Sequence, residues 1–159
     1  MSVFADTSFL FAFYFPRDAS ARAVEIVQSA TEPLLITGLV DFEFREAVWF
    51  EVFRRRNGQP RGLSEVQAQT GLAAFELDCE QGVWTKVALP LETLLASARE
   101  LSFKHTARTG CRAFDLLHVA SALTPDVRTF LSFDLTQCKL AQSEVLTVPL
   151  VELGGIQTA

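Results

Sequence analysis

The sequence predicts one α/β domain over residues 1–159, with a central parallel sheet of four to five strands and helices on both faces. Short apolar runs alternate with helical patterns along the whole chain, which is typical of strand and helix units around a parallel sheet. Hydrophobic residues make up 49% of the 159 residues, enough for one sizeable core. Repeats and low-complexity segments do not divide the chain, so we expect a single domain.

The strands are predicted from short apolar runs bounded by polar, glycine or proline residues. Most of these runs are too short for a helix and are rich in valine, leucine, isoleucine or phenylalanine. In chain order, the predicted strands are residues 3–5, 34–37, 83–89, 129–133 and 145–148.

The helices are predicted from the segments between these strands and from the residues at their ends. Asp6 can cap the first helix, Pro16 ends it, and Ser64 with Gln67 forms a capping-box pair that opens the fourth. Pro90 opens the fifth helix, and a basic segment at residues 104–112 precedes the last. In chain order, the predicted helices are residues 9–14, 19–29, 40–53, 64–77, 90–103 and 113–123.

Charge and cysteine content exclude several classes of protein. The formal net charge is −5, so any nucleic-acid contact needs a local basic patch. The apolar run at residues 9–15 is far shorter than a membrane span and no basic residue precedes it, so we expect a cytoplasmic protein with no membrane contact. Cys79, Cys111 and Cys138 form no Cys-x-x-Cys pair, which argues for reduced packing residues rather than disulfides or zinc ligands.

Four acidic residues, Asp6, Glu43, Asp115 and Asp134, stand in apolar surroundings. Asp6 and Asp134 follow predicted strands, and the carboxyl ends of parallel strands meet at one edge of a sheet. Buried carboxylates that converge must protonate or recruit a counter-charge, and a hard divalent cation supplies one. Oxygen ligands alone favour Mg²⁺ or Mn²⁺ over zinc, a combination suited to metal-assisted hydrolysis of a phosphodiester.

Each acid also has a purely structural interpretation. Asp6 can be a helix cap, Glu43 or Asp134 a surface or cap residue, and Asp115 a partner of Arg112 one turn earlier. His118 shares a helical face with Asp115 and suits a general base, but its apolar neighbours favour a packed, hydrogen-bonded histidine. We therefore leave His118 outside the predicted site.

The sequence around these acids resembles the PIN-domain ribonucleases, particularly the VapC toxins of toxin and antitoxin pairs. The resemblance implies a compact α/β fold, a Mg²⁺ or Mn²⁺ site, endonucleolytic cleavage of RNA, an antitoxin partner and a homodimer. Ser132 stands where the family often has threonine, and Glu46 offers a second acid one turn from Glu43, although the Glu-x-Arg-x-Ala pattern fits Glu43. The matching segments are residues 4–8, 43–47, 114–123 and 130–134, with Leu140 and Ala141 after them.

The resemblance also assigns roles by position. The catalytic acids would be Asp6, Glu43, Asp115 and Asp134, of which Asp6, Asp115 and Asp134 would bind the metal ion. Thr7 and Ser132 match hydroxyl positions that orient an acid or a water.

Two surfaces could contact RNA or protein. Lys104, Arg108 and Arg112 lead into Asp115 and are the expected phosphate-binding residues. The arginines at residues 54–56, with Arg61, favour a solvated helix end, with partner binding second. The apolar residues of the third helix cannot share one stripe, so this helix is either covered on both sides or binds an antitoxin segment or a second copy.

Two other functions stay open. One is a catalytically silent RNA-binding or adaptor module on the same fold. The other is phosphoryl transfer through an aspartyl-phosphate on Asp6, which is weaker because Ser8 stands where haloacid-dehalogenase-like phosphatases have a second aspartate.

Overall fold

Four parallel strands form the central sheet of the computed structural model, which describes residues 2–123 and 127–152. Their order in the sheet is β3-β2-β1-β4, so the first strand of the chain is central. Val3 pairs with Leu34 of β2, and Phe4 pairs with Phe130 of β4. The parallel α/β prediction is therefore confirmed. The strands are β1 Ser2–Ala5, β2 Leu34–Thr37, β3 Trp84–Val87 and β4 Val127–Leu131.

Polar side chains begin several of the helices at the positions that the sequence predicts. Asp6 and Asp134 accept hydrogen bonds from backbone N–H groups of the first turns that follow them, and Ser64 with Gln67 forms a complete capping box. The helices are α1 Thr7–Tyr14, α2 Ser20–Ser29, α3 Gly38–Arg56, α4 Glu65–Glu80, α5 Leu91–Leu101, α6 Ala107–Thr109, α7 Ala113–Leu123, α8 Leu135–Ser143 and α9 Pro149–Glu152. Helix α7 has the predicted bounds.

The helices flank the sheet and bury a largely apolar core. All four residues of β2 are buried, as expected for a strand covered on both faces. Helix α1 packs against α2, α3 and α4, whereas α7 packs against α5 and α8. Phe44 of α3 is fully buried and contacts the rings of Phe11, Tyr14, Phe15 and Phe75. Within the described residues, none of the helices is both long and apolar enough to cross a membrane.

Two sequence predictions about secondary structure are wrong. Residues 145–148 do not form a fifth strand, because Val145 has a φ of 69° and only Thr147 makes an isolated bridge, to Thr129. The helix predicted to end at residue 103 is α-helical only to Leu101 and continues as a π-helical turn, Ser102–Thr106, into α6. The basic segment is thus mostly helical.

The other element bounds move by a few residues. Strand β4 begins and ends two residues earlier than predicted. Helix α3 continues through the arginines that the sequence places in a loop, since arginine is a good helix former and its charge suits the carboxyl end of a helix. The helix ends at Asn57 and Gly58, whose φ of 84° suits glycine.

Candidate active site

Asp6 lies directly after the central strand and is fully buried. Its Oδ1 accepts hydrogen bonds from the Phe9 backbone N–H at 2.9 Å and the Ser8 hydroxyl at 2.8 Å. Its Oδ2 accepts one from the Ser132 hydroxyl at 2.7 Å. Burial raises the pKa of Asp6 to about 6, although the hydrogen bonds from Ser132, Phe9 and Ser8 and the charge of His118 oppose this rise. Asp6 is thus a helix cap and also a destabilised buried carboxylate.

Glu43 lies on α3, and its carboxylate is held by residues of two other helices. The Thr7 hydroxyl, at the start of α1, donates to Glu43 Oε2. His118 Nε2, on α7, lies 2.5 Å from the same oxygen. Partial burial raises the pKa of Glu43. The hydrogen bond and charge of His118 and the hydrogen bond from Thr7 lower it by more than burial raises it, so the net pKa is below its ordinary value. Glu43 is therefore ionised at neutral pH.

Asp115 and Asp134 are partly buried, and each binds backbone N–H groups through one oxygen. Asp115 Oδ2 accepts from the N–H of Arg112 at 2.8 Å, which is a contact with the backbone rather than with the arginine side chain. Asp134 Oδ1 accepts from the N–H groups of Thr136 and Gln137. Asp134 therefore has the capping role that the sequence left open, whereas Asp115 contacts Arg112 through the backbone and not as a side-chain pair.

Hydrogen bonds connect some of the predicted site residues and not others. The Ser132 hydroxyl joins Asp6 to the backbone N–H of Asp134, at 2.7 and 3.0 Å. Thr7, next to Asp6 in the chain, joins α1 to Glu43. Asp115 has no hydrogen bond to the other three acids within the described residues and lies one turn before His118 on α7. Hydrogen bonds thus link Asp6 with Ser132 and the Asp134 backbone, and Thr7 with Glu43; the two sets adjoin because Asp6 and Thr7 are neighbours in the chain.

The carboxylate oxygens of the predicted site are of the type that binds magnesium or manganese, but they do not surround one position. One oxygen of each of three acids, Glu43 Oε1, Asp115 Oδ1 and Asp134 Oδ2, accepts no hydrogen bond from the described residues. No group of three or more histidine, cysteine or acidic side chains in residues 2–123 and 127–152 is arranged to hold an ion. Mg²⁺ is usually held by one or two carboxylates and several waters, so these oxygens have the chemistry of its ligands, although three of the described acids are not gathered around one position.

Two residues outside the predicted site belong to this network. Ser8 donates to Asp6 and also accepts from the backbone N–H of Phe133 at 2.8 Å, so it connects the start of α1 to the segment that follows β4. His118 is buried and hydrogen-bonded, as its apolar neighbours predict, but its partner is Glu43. The sequence signals for them were the position of Ser8 two residues after Asp6, in the matching segment 4–8, and that of His118 one turn after Asp115, in the matching segment 114–123.

The remaining predicted residues lie on the surface. Lys104 forms an ion pair with Glu144 at 3.3 Å, Arg108 donates to the carbonyl of Lys104, and the Arg112 side chain is exposed. Glu46 is also exposed and makes no hydrogen bond to the site within the described residues, which favours Glu43 as the site glutamate.

An exposed aromatic face runs along α3. Four of its side chains, which we call the α3 aromatic face, are between 44% and 64% exposed. The prediction that the apolar residues of this helix do not share one buried stripe is confirmed. Among the described residues, other parts of the chain do not cover both sides of the helix. These four are Phe42, Trp49, Phe50 and Phe53.

A parallel sheet with carboxylates beyond the carboxyl ends of its strands defines an open α/β domain whose candidate site lies where sites of this class usually form. The sequence profile of the PIN domain family matches residues 3–142. The chain therefore belongs to the PIN domain family, whose members are generally nucleases that bind RNA and usually use a divalent metal ion.

A solved structure supports the same fold. The crystal structure of PAE2754 from Pyrobaculum aerophilum aligns with a TM-score of 0.57 over 98% of this chain and 97% of that chain. The two sequences are 15% identical, so this likeness concerns the fold alone. A search of curated protein sequences gave no match.

Proposed function

We propose that this protein is a metal-dependent endoribonuclease that hydrolyses RNA phosphodiester bonds at Asp6, Glu43, Asp115 and Asp134. The observation that carries this proposal is the Asp6 carboxylate, which is fully buried after the central strand and has a raised pKa. A carboxylate held in this state gains much from a cation, and each of the other three acids has one oxygen that accepts no hydrogen bond from the described residues.

Each residue of the site has its own role in the proposed hydrolysis. Asp6, Asp115 and Asp134 would hold the ion, which when bound supplies positive charge to the phosphate oxygens and makes a water more acidic. Glu43, which stays ionised, accepts a hydrogen bond from the attacking water through Oε1 and orients it toward phosphorus. Ser132 and Ser8 keep the Asp6 side chain in place. Lys104, Arg108 and Arg112 would bind phosphates of the RNA.

The test is cleavage of a defined panel of RNAs with Mg²⁺, with Mn²⁺ and with EDTA. We expect Asp6→Asn, Asp115→Asn, Asp134→Asn and Glu43→Gln to abolish cleavage while the proteins stay folded. The matched control is Glu46→Gln, since Glu46 is an exposed acid on the same helix and should be dispensable. Full activity in EDTA, or activity of Asp6→Asn equal to that of the wild type, would contradict the proposal.

A catalytically silent RNA-binding module is the second candidate. The described residues contain no group of three metal-ligating side chains, which is the observation that favours it. Titration calorimetry with Mn²⁺ separates the two, because a silent module would give no heat of binding that depends on Asp6.

We also propose that the protein is a VapC-like toxin, neutralised by an antitoxin and homodimeric. The α3 aromatic face supports a protein partner, since exposed aromatic side chains of this size in one patch are typical of interaction sites. Light scattering of the chain alone and with its antitoxin tests both partners, and Trp49→Glu should weaken at least one of the two assemblies. Unchanged assembly in that variant would count against this face.

A further inference from the structure

We propose that His118 is a positioning residue, which together with Thr7 fixes one oxygen of the Glu43 carboxylate and leaves the other, Oε1, to orient the attacking water. This inference rests on the proposed function and adds a residue to it. The residue acts through Glu43 and is buried away from the RNA.

The hydrogen-bond geometry gives the direction of this effect. An ionised carboxylate only accepts hydrogen bonds, so His118 Nε2 must carry the proton that lies between it and Glu43 Oε2, 2.5 Å away. The Thr7 hydroxyl donates to the same oxygen. Two donors from two helices thus converge on Oε2, and the Glu43 side chain, which is 26% exposed, loses most of its rotational freedom.

The burial of His118 excludes direct contact with substrate. Its side chain is fully buried on α7, and no described residue is a hydrogen-bond partner of its Nδ1. An imidazole with a buried, unpaired nitrogen is less stable in this place than an apolar side chain of similar size would be. The bond to Glu43 is therefore the polar interaction that distinguishes His118 from a packing residue.

The electrostatic effect points the same way. The hydrogen bond and the charge of His118 are the main contributions that lower the pKa of Glu43 against the effect of its partial burial. His118 therefore keeps the water-orienting acid ionised as well as fixed in direction.

The experiment compares His118→Leu with His118→Gln, whose side-chain amide can still donate to Glu43. We expect His118→Leu to lower kcat for RNA cleavage by about 10–100-fold with KM changed less than about 2-fold, which is the usual loss when a supporting partner is removed. His118→Gln should recover most of this loss.

The matched control is His105→Leu. His105 is the other histidine, is also buried, and lies 2.7 Å from a glutamate oxygen, Glu144 Oε1. We expect this variant to lose stability without losing kcat. Equal kcat losses in His105→Leu and His118→Leu would show a general structural effect and overturn the proposal.

A second measurement does not depend on cleavage. Carbon-13 NMR titration of the Glu43 carboxyl, assigned with Glu43→Gln, should give a higher pKa in His118→Leu than in the wild type in metal-free buffer. An unchanged Glu43 pKa overturns the positioning role even if the wild type cleaves no RNA, whereas a raised pKa in an inactive protein would contradict only the proposed function. Should His118→Leu fail to fold, Thr7→Val removes the other donor to Oε2 and must raise the same pKa.

Discussion

Replacing Asp6 by asparagine should stabilise the metal-free protein at neutral pH while removing its activity. The carboxylate is fully buried, and its hydrogen bonds do not offset the loss of hydration when it ionises. Asparagine has nearly the same shape, carries no charge, and can accept from Phe9 and donate to the Ser132 hydroxyl. Residues that serve function at the expense of stability are expected at active sites.

The magnitude follows from the two pKa values. Asp6 titrates near 3.8 in the unfolded chain and at about 6 in the folded protein. As the pH rises through this interval the unfolded chain releases its proton first, so the folding stability falls by about 3 kcal/mol in total. Below pH 3.8 both states are protonated and this loss disappears. Because the amide makes weaker hydrogen bonds than a carboxylate, we expect Asp6→Asn to gain about 1–3 kcal/mol at pH 7.5.

Urea denaturation in EDTA at pH 7.5 and at pH 4 measures this difference directly. The variant should also raise Tm at pH 7.5 by roughly 3–10 °C. Asp134→Asn is the matched control, because Asp134 is only partly buried and asparagine caps a helix about as well as aspartate, so its stability should change by less than about 0.5 kcal/mol. If Asp6→Asn destabilises the protein at pH 7.5, or stabilises it equally at pH 4, the cost assigned to the buried charge is wrong.

Three further predictions concern stability and are read from denaturation midpoints. Phe44→Ala should cost about 3–5 kcal/mol, because it opens a cavity among four aromatic rings; a loss below about 1 kcal/mol would mean that the core collapses around it. Tyr14→Phe should cost about 1–3 kcal/mol, because Trp84 Nε1 donates to the Tyr14 hydroxyl at 2.7 Å and would be left without an acceptor; a wild-type midpoint would refute this. Burial raises the pKa of Glu144, but the hydrogen bonds from His105 and Lys104 lower it by more, so the net pKa is below 4.5. The contribution of Glu144 to folding stability is therefore present above pH 4.5 and is lost as the pH falls below the lowered pKa. The stability difference between wild type and Glu144→Gln should therefore shrink between pH 6 and pH 3, and a difference independent of pH would contradict the assignment.

Local sequence signals predicted most of the secondary structure. Capping residues such as Asp6 and Ser64 act on backbone groups within three residues, so their effect is visible in the sequence itself. The failures arose where the residue types did not indicate the backbone conformation. The left-handed Val145 ends a predicted strand, and the π-helical turn after Leu101 carries the basic segment into a helix that its composition does not indicate.

The α3 aromatic face shows a second limit of sequence reasoning. Periodicity indicated that the apolar side chains of α3 point in more than one direction, which the structure confirms. It could not indicate which side faces the core, because this depends on how α1 and α4 pack against α3.

The sequence by itself determined the α/β class, the four strands of the sheet and the placement of Asp6 and Asp134 after two of them, because these depend on local periodicity and on the geometry common to all parallel sheets; it did not indicate helix α8. Only the tertiary structure decided which hydroxyls and which histidine hold the acids. The Ser132 to Asp6 bond spans 126 positions and the His118 to Glu43 bond spans 75. Such contacts depend on the packing of separate helices, where a shift of about one ångström makes or breaks a hydrogen bond.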